Sequence, residues 1–344
     1  MDSPFLSTRH AWVAAIGLLL LFPRFVVAEG AVPVGVIFDT DMDSDCDDVG
    51  ALAMLHALAD RREIRLIATP ISARHRFSGA CTDAINTYFG RPEIPIGIPK
   101  ATPNKQGSKF AEGIAREFPH DYPTTAEQPD ALSLYRRVLA AEPDGSVTLI
   151  TVGDLTNVRD LLASPADGIS NHTGEDLARA KIKHWYCMGS RYPEDLDPKA
   201  WGNFKMDPQA TVEAIRKWPA PLTFTGGGKF AESLATGARL KELPAAHPVR
   251  RGYELYFDGK LQNRHSADQI TVLVAVRGTQ KPWKLVTSGH NHIFENGTHQ
   301  WRETPDHPQQ QYISALAEGI APRDVAGGIE GLMLHVPGKK ATGE

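Results

Sequence analysis

What most constrains the fold of this chain is an alternation. From about residue 30 onward, short apolar runs of strand character take turns with longer segments of helical spacing. "VGVIFDT" is followed by "VGALAMLHALAD", "IRLIATP" by "CTDAINTYFG", and "IPIGI" by "ALSLYRRVLAAE"; "SVTLITV", "LTNVRDLLAS", "KIKHWYCMG", "DPQATVEAIRKW" and "PLTFTG" continue the series. Strand and helix in turn imply right-handed crossovers and a largely parallel sheet. The strand runs are continuously apolar, as expected when helices cover both faces. The expectation is an α/β chain: an open, mostly parallel (mixed) sheet with helices on both faces, in one domain over residues 29–344. "KLVTSGHNHIFENGTHQWRE" predicts an antiparallel addition, because Asn296-Gly297 is a strong hairpin turn between strand-like flanks. Ligands of open parallel sheets collect at the carboxyl ends of the strands. Those ends carry Asp39, Asp41, Thr69 and the stretches 152–154, 188–191 and 225–228.

Residues 1–28 differ from the rest: Arg9 and His10 precede "AWVAAIGLLLLF", and "VVA" ends at Ala28. A charged start, a short apolar core and small residues before a cut site make a secretory signal peptide. The apolar stretch falls short of the roughly 20 residues of a membrane-spanning helix. The mature protein is therefore expected to be secreted or periplasmic, without stable membrane association. Three cysteines, Cys46, Cys81 and Cys187, define no disulfide framework. With a formal net charge of -4 and the 37 basic residues scattered along the chain, there is no electrostatic footprint for nucleic acid or an anionic membrane, and a small-molecule ligand fits better.

The first strand-to-helix passage, "FDTDMDSDCDDVGAL", packs six aspartates into residues 39–48 between apolar flanks. A helix N-terminus favours one or two acidic side chains through its free N–H groups and dipole. Six exceed that, and gathered carboxylates need a cation; an all-oxygen set selects a hard ion such as calcium or magnesium. An EF-hand loop would require Gly at its sixth position and Glu at its twelfth. Ser44 and Gly50 stand there counting from Asp39, and Cys46 and Leu52 counting from Asp41. A second alternative is phosphoryl transfer, since Asp39-x-Asp41 after an apolar strand resembles the first motif of the haloacid dehalogenase superfamily, with Thr151 as its phosphate-binding hydroxyl. That reading leaves Asp47-Asp48 without a role.

More of the chain resembles the nucleoside hydrolase family. "FDTDMDSDCDDVGALAMLHAL" resembles that family's D-T-D followed by D-D-A at a helix start, in the spacing of a divergent, exported bacterial branch. "VTLITVGDLTNV" resembles the strand ending in T-G-P-L-T-N, "WGNFKMDPQAT" the E-F-N-x-x-x-D-P-E-A segment, and "SADQITVLVAV" the late H-D-P-L-A-V-A helix start. The resemblance implies a nucleoside hydrolase-like fold and calcium held by Asp41, Asp48, Asp268 and the Val152 carbonyl. It places Asp47 at the ribose 2'-hydroxyl and Asn203 at the 3'-hydroxyl, with Asp41 as the base that takes a proton from the attacking water. It implies hydrolysis of an N-glycosidic bond in a nucleoside or related ribosyl compound. It is also the sole ground for expecting a homo-oligomer.

The chain departs from the family pattern at three places. The proton-donating His before the late Asp is Ala267, the ribose-contacting Glu is Trp201, and the Asn after the second strand falls near Arg74 or His75. Trp201 and His75 are carried as substrate-binding candidates. Arg74, His75, Arg191, His265, His290 and His292 are candidates to replace the proton donor. Ala267 also keeps open a calcium-dependent nucleoside or sugar binding protein without turnover. Trp201, Phe204 and Tyr192 are candidates to stack on a base, "TGGGKF" lacks the spacing of a phosphate loop, and Cys46 beside carboxylates is no nucleophile. Asp39 is expected to orient the loop, while Asp43 and Asp45 have no assigned role.

Overall fold

The computed structural model describes residues 33–104, 106–124, 127–303 and 309–338. The expected signal segment 1–28 lies outside them. Ten strands form: β1 (Val34–Asp39), β2 (Ile64–Ala68), β3 (Val147–Thr151), β4 (Ile182–Met188), β5 (Glu194–Asp195), β6 (Leu222–Thr225), β7 (Trp283–Val286), β8 (His290–Ile293), β9 (His299–Arg302) and β10 (Gln310–Leu316). Seven make one sheet in the order β2-β1-β3-β4-β6-β10-β7, and β5-β9-β8 make a second. In the large sheet every pairing is parallel except β10 with β7. The expected mostly parallel mixed sheet is what forms.

Successive side chains of a strand point to opposite faces, and β1 shows the result. Val36 and Phe38 join one apolar core, with the helices Asp47–Asp60, Ser78–Tyr88, Ala267–Arg277 and Pro322–Met333. Ile37 joins the other, with the helices Ala131–Ala141, Thr156–Ala163, Gly174–Lys181 and Pro208–Lys217. Helices thus cover both faces, which is why the strands are apolar throughout. Among the described residues, no helix is long and apolar enough to cross a membrane.

Three local expectations are corrected. "IPIGI" is not a strand: it is held beside the chain by Thr69 N–H to the Pro95 carbonyl (3.1 Å) and Ile71 N–H to the Gly97 carbonyl (2.8 Å). Pro95 has no N–H to return to a ladder. The Asn296-Gly297 hairpin forms as β8 and β9, but it pairs with β5 in the small sheet, and only β7 reaches the large one. Strand β10, inserted between β6 and β7, has no counterpart in the sequence reading. All three cysteines are buried free thiols.

Candidate metal and ligand site

The acidic stretch leaves β1 where that strand runs parallel to β3, with Asp39 level with Thr151. Val152 continues from β3 and donates its N–H to the Asp39 carbonyl at 2.8 Å, so the acidic loop and the 152–154 turn lie side by side. Gly153 makes this approach possible: a Cβ there would lie 2.2 Å from Ser72 Oγ and 2.7 Å from the Asp41 backbone nitrogen. Met42, between two aspartates, has φ of 46°. That backbone costs a β-carbon-bearing residue about 1–3 kcal/mol and must be held by its surroundings. Its N–H reaches Thr40 Oγ1 (3.2 Å) and Asp48 Oδ1 (3.3 Å), its carbonyl accepts from Ser78 Oγ (3.0 Å), and its side chain is fully buried.

Asp47 and Asp48 open the helix Asp47–Asp60, where free N–H groups favour carboxylates. Asp268 stands in the first turn of the helix Ala267–Arg277. The two helices close on each other at Gly50, where a Cβ would meet Gln269 Nε2 at 2.4 Å. One carboxylate oxygen from each of Asp47, Asp48 and Asp268 comes within 4.8 Å of the others. A second group within the same limit joins Asp45 and Asp47 to His265. Above them opens a cavity of about 290 Å³, lined also by Asp41, Val152, Trp201 and Asn203.

Asp41, Asp47, Asp48, Val152, Trp201, Asn203 and Asp268 all line this cavity, whereas His75 and the stacking candidates Phe204 and Tyr192 do not: Phe204 is fully buried in the core and Tyr192 lines a neighbouring cavity. His75 is half-buried beside Phe77, ring centroids 6.2 Å apart, and the structure does not bring it to the site. Asn203 gives its Nδ2 to the carbonyls of Val152 (2.6 Å) and Met188 (2.9 Å), which leaves its Oδ1 as an acceptor. The Val152 carbonyl keeps a second lone pair. Trp201 is half-buried, with the Arg191 guanidinium 5.3 Å from its ring, and separates this cavity from a second one lined by Arg191, Tyr192 and Phe230. Of the candidate proton donors, only His265 lines the first cavity.

The electrostatics follow from crowding. Asp41, Asp43, Asp47, Asp48 and Asp268 are each at most 4% exposed. Burial, then mutual repulsion, pushes Asp48 up to about 8 and Asp47 to about 6, and raises Asp41 and Asp268 well above the carboxylate range. Asp45 behaves oppositely. Burial raises it, but hydrogen bonding with Asp47 and His265 and the charge of Arg264, 2.5 Å away, hold it well below the usual range. Burial alone would lower His265; the charge of Asp47 (3.4 Å) and its contact with Asp45 (3.5 Å) instead push it up to about 10, so it stands as an imidazolium. Arg264 was missed by the sequence reading, as were Gln106, Ser44 and Lys205 on the cavity wall. The adjacent basic pair Arg264-His265, just before the late Asp of an acidic site, was the available signal. Asp39 lies beneath, clamped by Tyr135 Oη (2.5 Å) and Asn157 Nδ2 (3.1 Å); burial pushes it up to about 8.

No family model matches the sequence, and neither does any curated protein. Solved structures do match the fold. A plant nucleoside hydrolase superposes with a TM-score of 0.65 at 15% identity, over 88% of this chain and 99% of its own. An inosine-guanosine nucleoside hydrolase gives 0.66 at 15%, over 87% and 98%. The type III effector protein XopQ, complexed with adenosine diphosphate ribose, gives 0.59 at 15%, over 88% and 92%. The chain has the nucleoside hydrolase-like fold.

Proposed function

We propose that the chain is a calcium-dependent hydrolase of N-glycosidic bonds in nucleosides or related ribosyl compounds, exported by way of residues 1–28. The observation that carries this is the convergence of Asp47, Asp48 and Asp268 oxygens at a cavity also lined by Asn203 and Trp201, in a nucleoside hydrolase-like fold. The donor set is all oxygen and buried, and Asp47 Oδ1 is buried without a partner, which fits a hard divalent cation and a hydroxyl donor. Asp41, Asp48, Asp268 and the Val152 carbonyl would hold the ion. Bound calcium supplies the positive charge against which vicinal hydroxyls and a water are positioned.

The remaining work falls to side chains. Asp47 Oδ1 accepts from the 2'-hydroxyl and Asn203 Oδ1 from the 3'-hydroxyl, fixing the sugar's orientation. Asp41 takes the proton of the attacking water. The carboxylates supply a negative field that favours the oxocarbenium-like transition state of glycosidic cleavage. Trp201 offers an aromatic face to the ligand.

A second reading, binding without turnover, rests on Ala267, whose methyl group lines the cavity where the family resemblance implies a proton donor. The XopQ complex with adenosine diphosphate ribose is consistent with ribosyl ligands on this fold. A nucleoside panel with calcium separates the two. Release of free base and reducing sugar, lost in Asp41→Asn and Asp48→Asn, supports the hydrolase. No release, together with a raised melting temperature on adding a ribose analogue, supports the binding protein. Unchanged calcium affinity in Asp48→Asn would sink the metal assignment.

A further inference from the structure

Resting on the reading of the first cavity as a ribosyl site, we propose that the second cavity binds a phosphate carried by the same ligand, with Arg191 and Lys229 selecting phosphorylated ribosyl compounds over free nucleosides. The two cavities draw on one edge of the sheet. Asp41 and Val152 of the first follow the ends of β1 and β3. Arg191 and Lys229 of the second follow the ends of β4 and β6, the next strands in order. This is the carboxyl edge, where ligands of parallel sheets collect. The partition is one side chain thick: Trp201 lines both cavities, and Gly227 backs it so closely that a Cβ there would stand 2.6 Å from the ring. Because Trp201 is only half-buried, a sugar held by its vicinal hydroxyls at Asp47 and Asn203 can lay its 5' arm across the exposed edge of that ring.

The second cavity, about 470 Å³, has three charged lining groups, Arg191, Lys229 and Glu232. Arg191 is fixed from three sides. Its Nη2 donates to Asp195 Oδ1 (2.7 Å), its guanidinium lies 5.3 Å from the Trp201 ring, and its Cγ and Cδ rest on Gly228, where a Cβ would come within 3.0 Å of both. Asp195 is itself buried and accepts from Ser190 Oγ on its other oxygen (3.0 Å), so it holds the arginine and does not line the cavity. Among the described residues, Arg191 Nε and Nη1 have no hydrogen-bond partner and Lys229 has no ion pair. A guanidinium already fixed in place offers its free edge to phosphate oxygens at little further cost in entropy, and a lysine ammonium beside it adds a mobile point charge. The first cavity is built the other way. Its floor is carboxylate, its Arg264 and His265 face Asp45 and Asp47, and Lys205 is the remaining cation on its wall. The turn "TGGGKF" after β6 acts here by letting Trp201 and Arg191 pack against main chain.

The test compares ligands in pairs. The full mature chain, loaded with calcium, is titrated calorimetrically with adenosine, inosine and uridine and with their 5'-monophosphates; kcat/KM replaces Kd for any pair that is turned over. The expected result is a preference for the phosphorylated member of about ten-fold or more, reduced in Arg191→Met and in Lys229→Met and abolished in the double variant. Arg191→Met unpairs the buried Asp195; if it does not fold, Lys229→Met, which alters an exposed side chain, is read in the same way. Nucleosides that bind while their monophosphates bind no tighter overturn the proposal and leave the ribosyl reading intact. No binding of either member overturns both. A preference that survives Arg191→Met and Lys229→Met overturns the placement, and its loss in Lys205→Met would put the phosphate in the first cavity.

Discussion

Replacing Gly153 by alanine tests whether the acidic loop is positioned by backbone contact with the turn after β3. The added methyl would stand 2.2 Å from Ser72 Oγ, 2.7 Å from the Asp41 nitrogen and 3.1 Å from the Asp41 Cβ. Ordinary contact needs about 3.5 Å, so something must move by roughly 1 Å. Ser72 Oγ can rotate away, but the Asp41 nitrogen is main chain and cannot. Overpacking of this kind costs about 1–3 kcal/mol, which lowers the melting temperature by about 2–6 °C in a chain of this size. The displaced atoms belong to Asp41 and to the turn carrying the Val152 carbonyl, so cation affinity should fall as well. Gly327→Ala is the control: position 327 lies inside the helix Pro322–Met333, and an alanine methyl there would meet nothing within 4 Å. That substitution should stabilise by about 0.5–1 kcal/mol. Thermal melts of both variants, with calcium titrations of Gly153→Ala, check the pair. A Gly153→Ala protein as stable as wild type with unchanged calcium affinity would refute the reasoning.

Three further outcomes are expected. The folded state raises Asp39, Asp43 and Asp48 to about 8 from 3.8, chiefly by burial. A raised folded pKa gives stability that is complete below the unfolded value and is lost as pH rises through the folded one, so chelated protein should melt progressively lower from about pH 4 to 8 and level off above; calcium should restore most at the alkaline end, and a pH-independent calcium effect would count against the site. His56 moves the other way: burial, then the Arg91 charge, lowers it from 6.5 to about 3, so its contribution is complete above 6.5 and is lost as pH falls toward 3. Urea melts of His56→Gln, which can still donate to Asn86 Oδ1, should show shallower acid destabilisation between pH 6.5 and 4; a slope equal to wild type would exclude His56 as its source. Arg264→Met removes the partner of Asp45 and a positive charge beside the metal cluster, so it should cost about 1–3 kcal/mol of stability while tightening calcium binding a few-fold; two changes of the same sign would contradict the charge balance drawn for the site.

How much of this was legible in the sequence depends on how far apart the determinants lie. The strand, acidic loop and helix of residues 34–60 are local; their charge pointed to a cation, and the resemblance of their motifs to the nucleoside hydrolase opening singled out Asp41, Asp47 and Asp48, which line the cavity. Val152, Asn203 and Asp268 came from ordered motifs whose strands end at the same edge. Strand β10 escaped because its burial is mostly partial, so "QYISALAE" lacks the continuous apolar signature of the other parallel strands. His75 reads as a site residue from its place after the second strand, yet the chain turns there so that its ring lies beside Phe77. Asp45 could not be assigned because its partner Arg264 is 219 positions away, brought there by the packing of the helices Asp47–Asp60 and Ala267–Arg277. The six aspartates therefore differ less by local spacing than by what tertiary packing sets against each one. Asp39 receives a tyrosine and an asparagine, Asp45 an arginine, Asp47 an imidazolium and Asp48 a threonine, whereas Asp41 stands at the cavity and Asp43 has no side-chain donor among the described residues. Under the proposed function the carboxylates left facing the cavity, Asp41 and Asp48, are the ones that would meet the cation, so calcium titrations of Gly153→Ala and Asp48→Asn test one arrangement from its backbone and from its side chains.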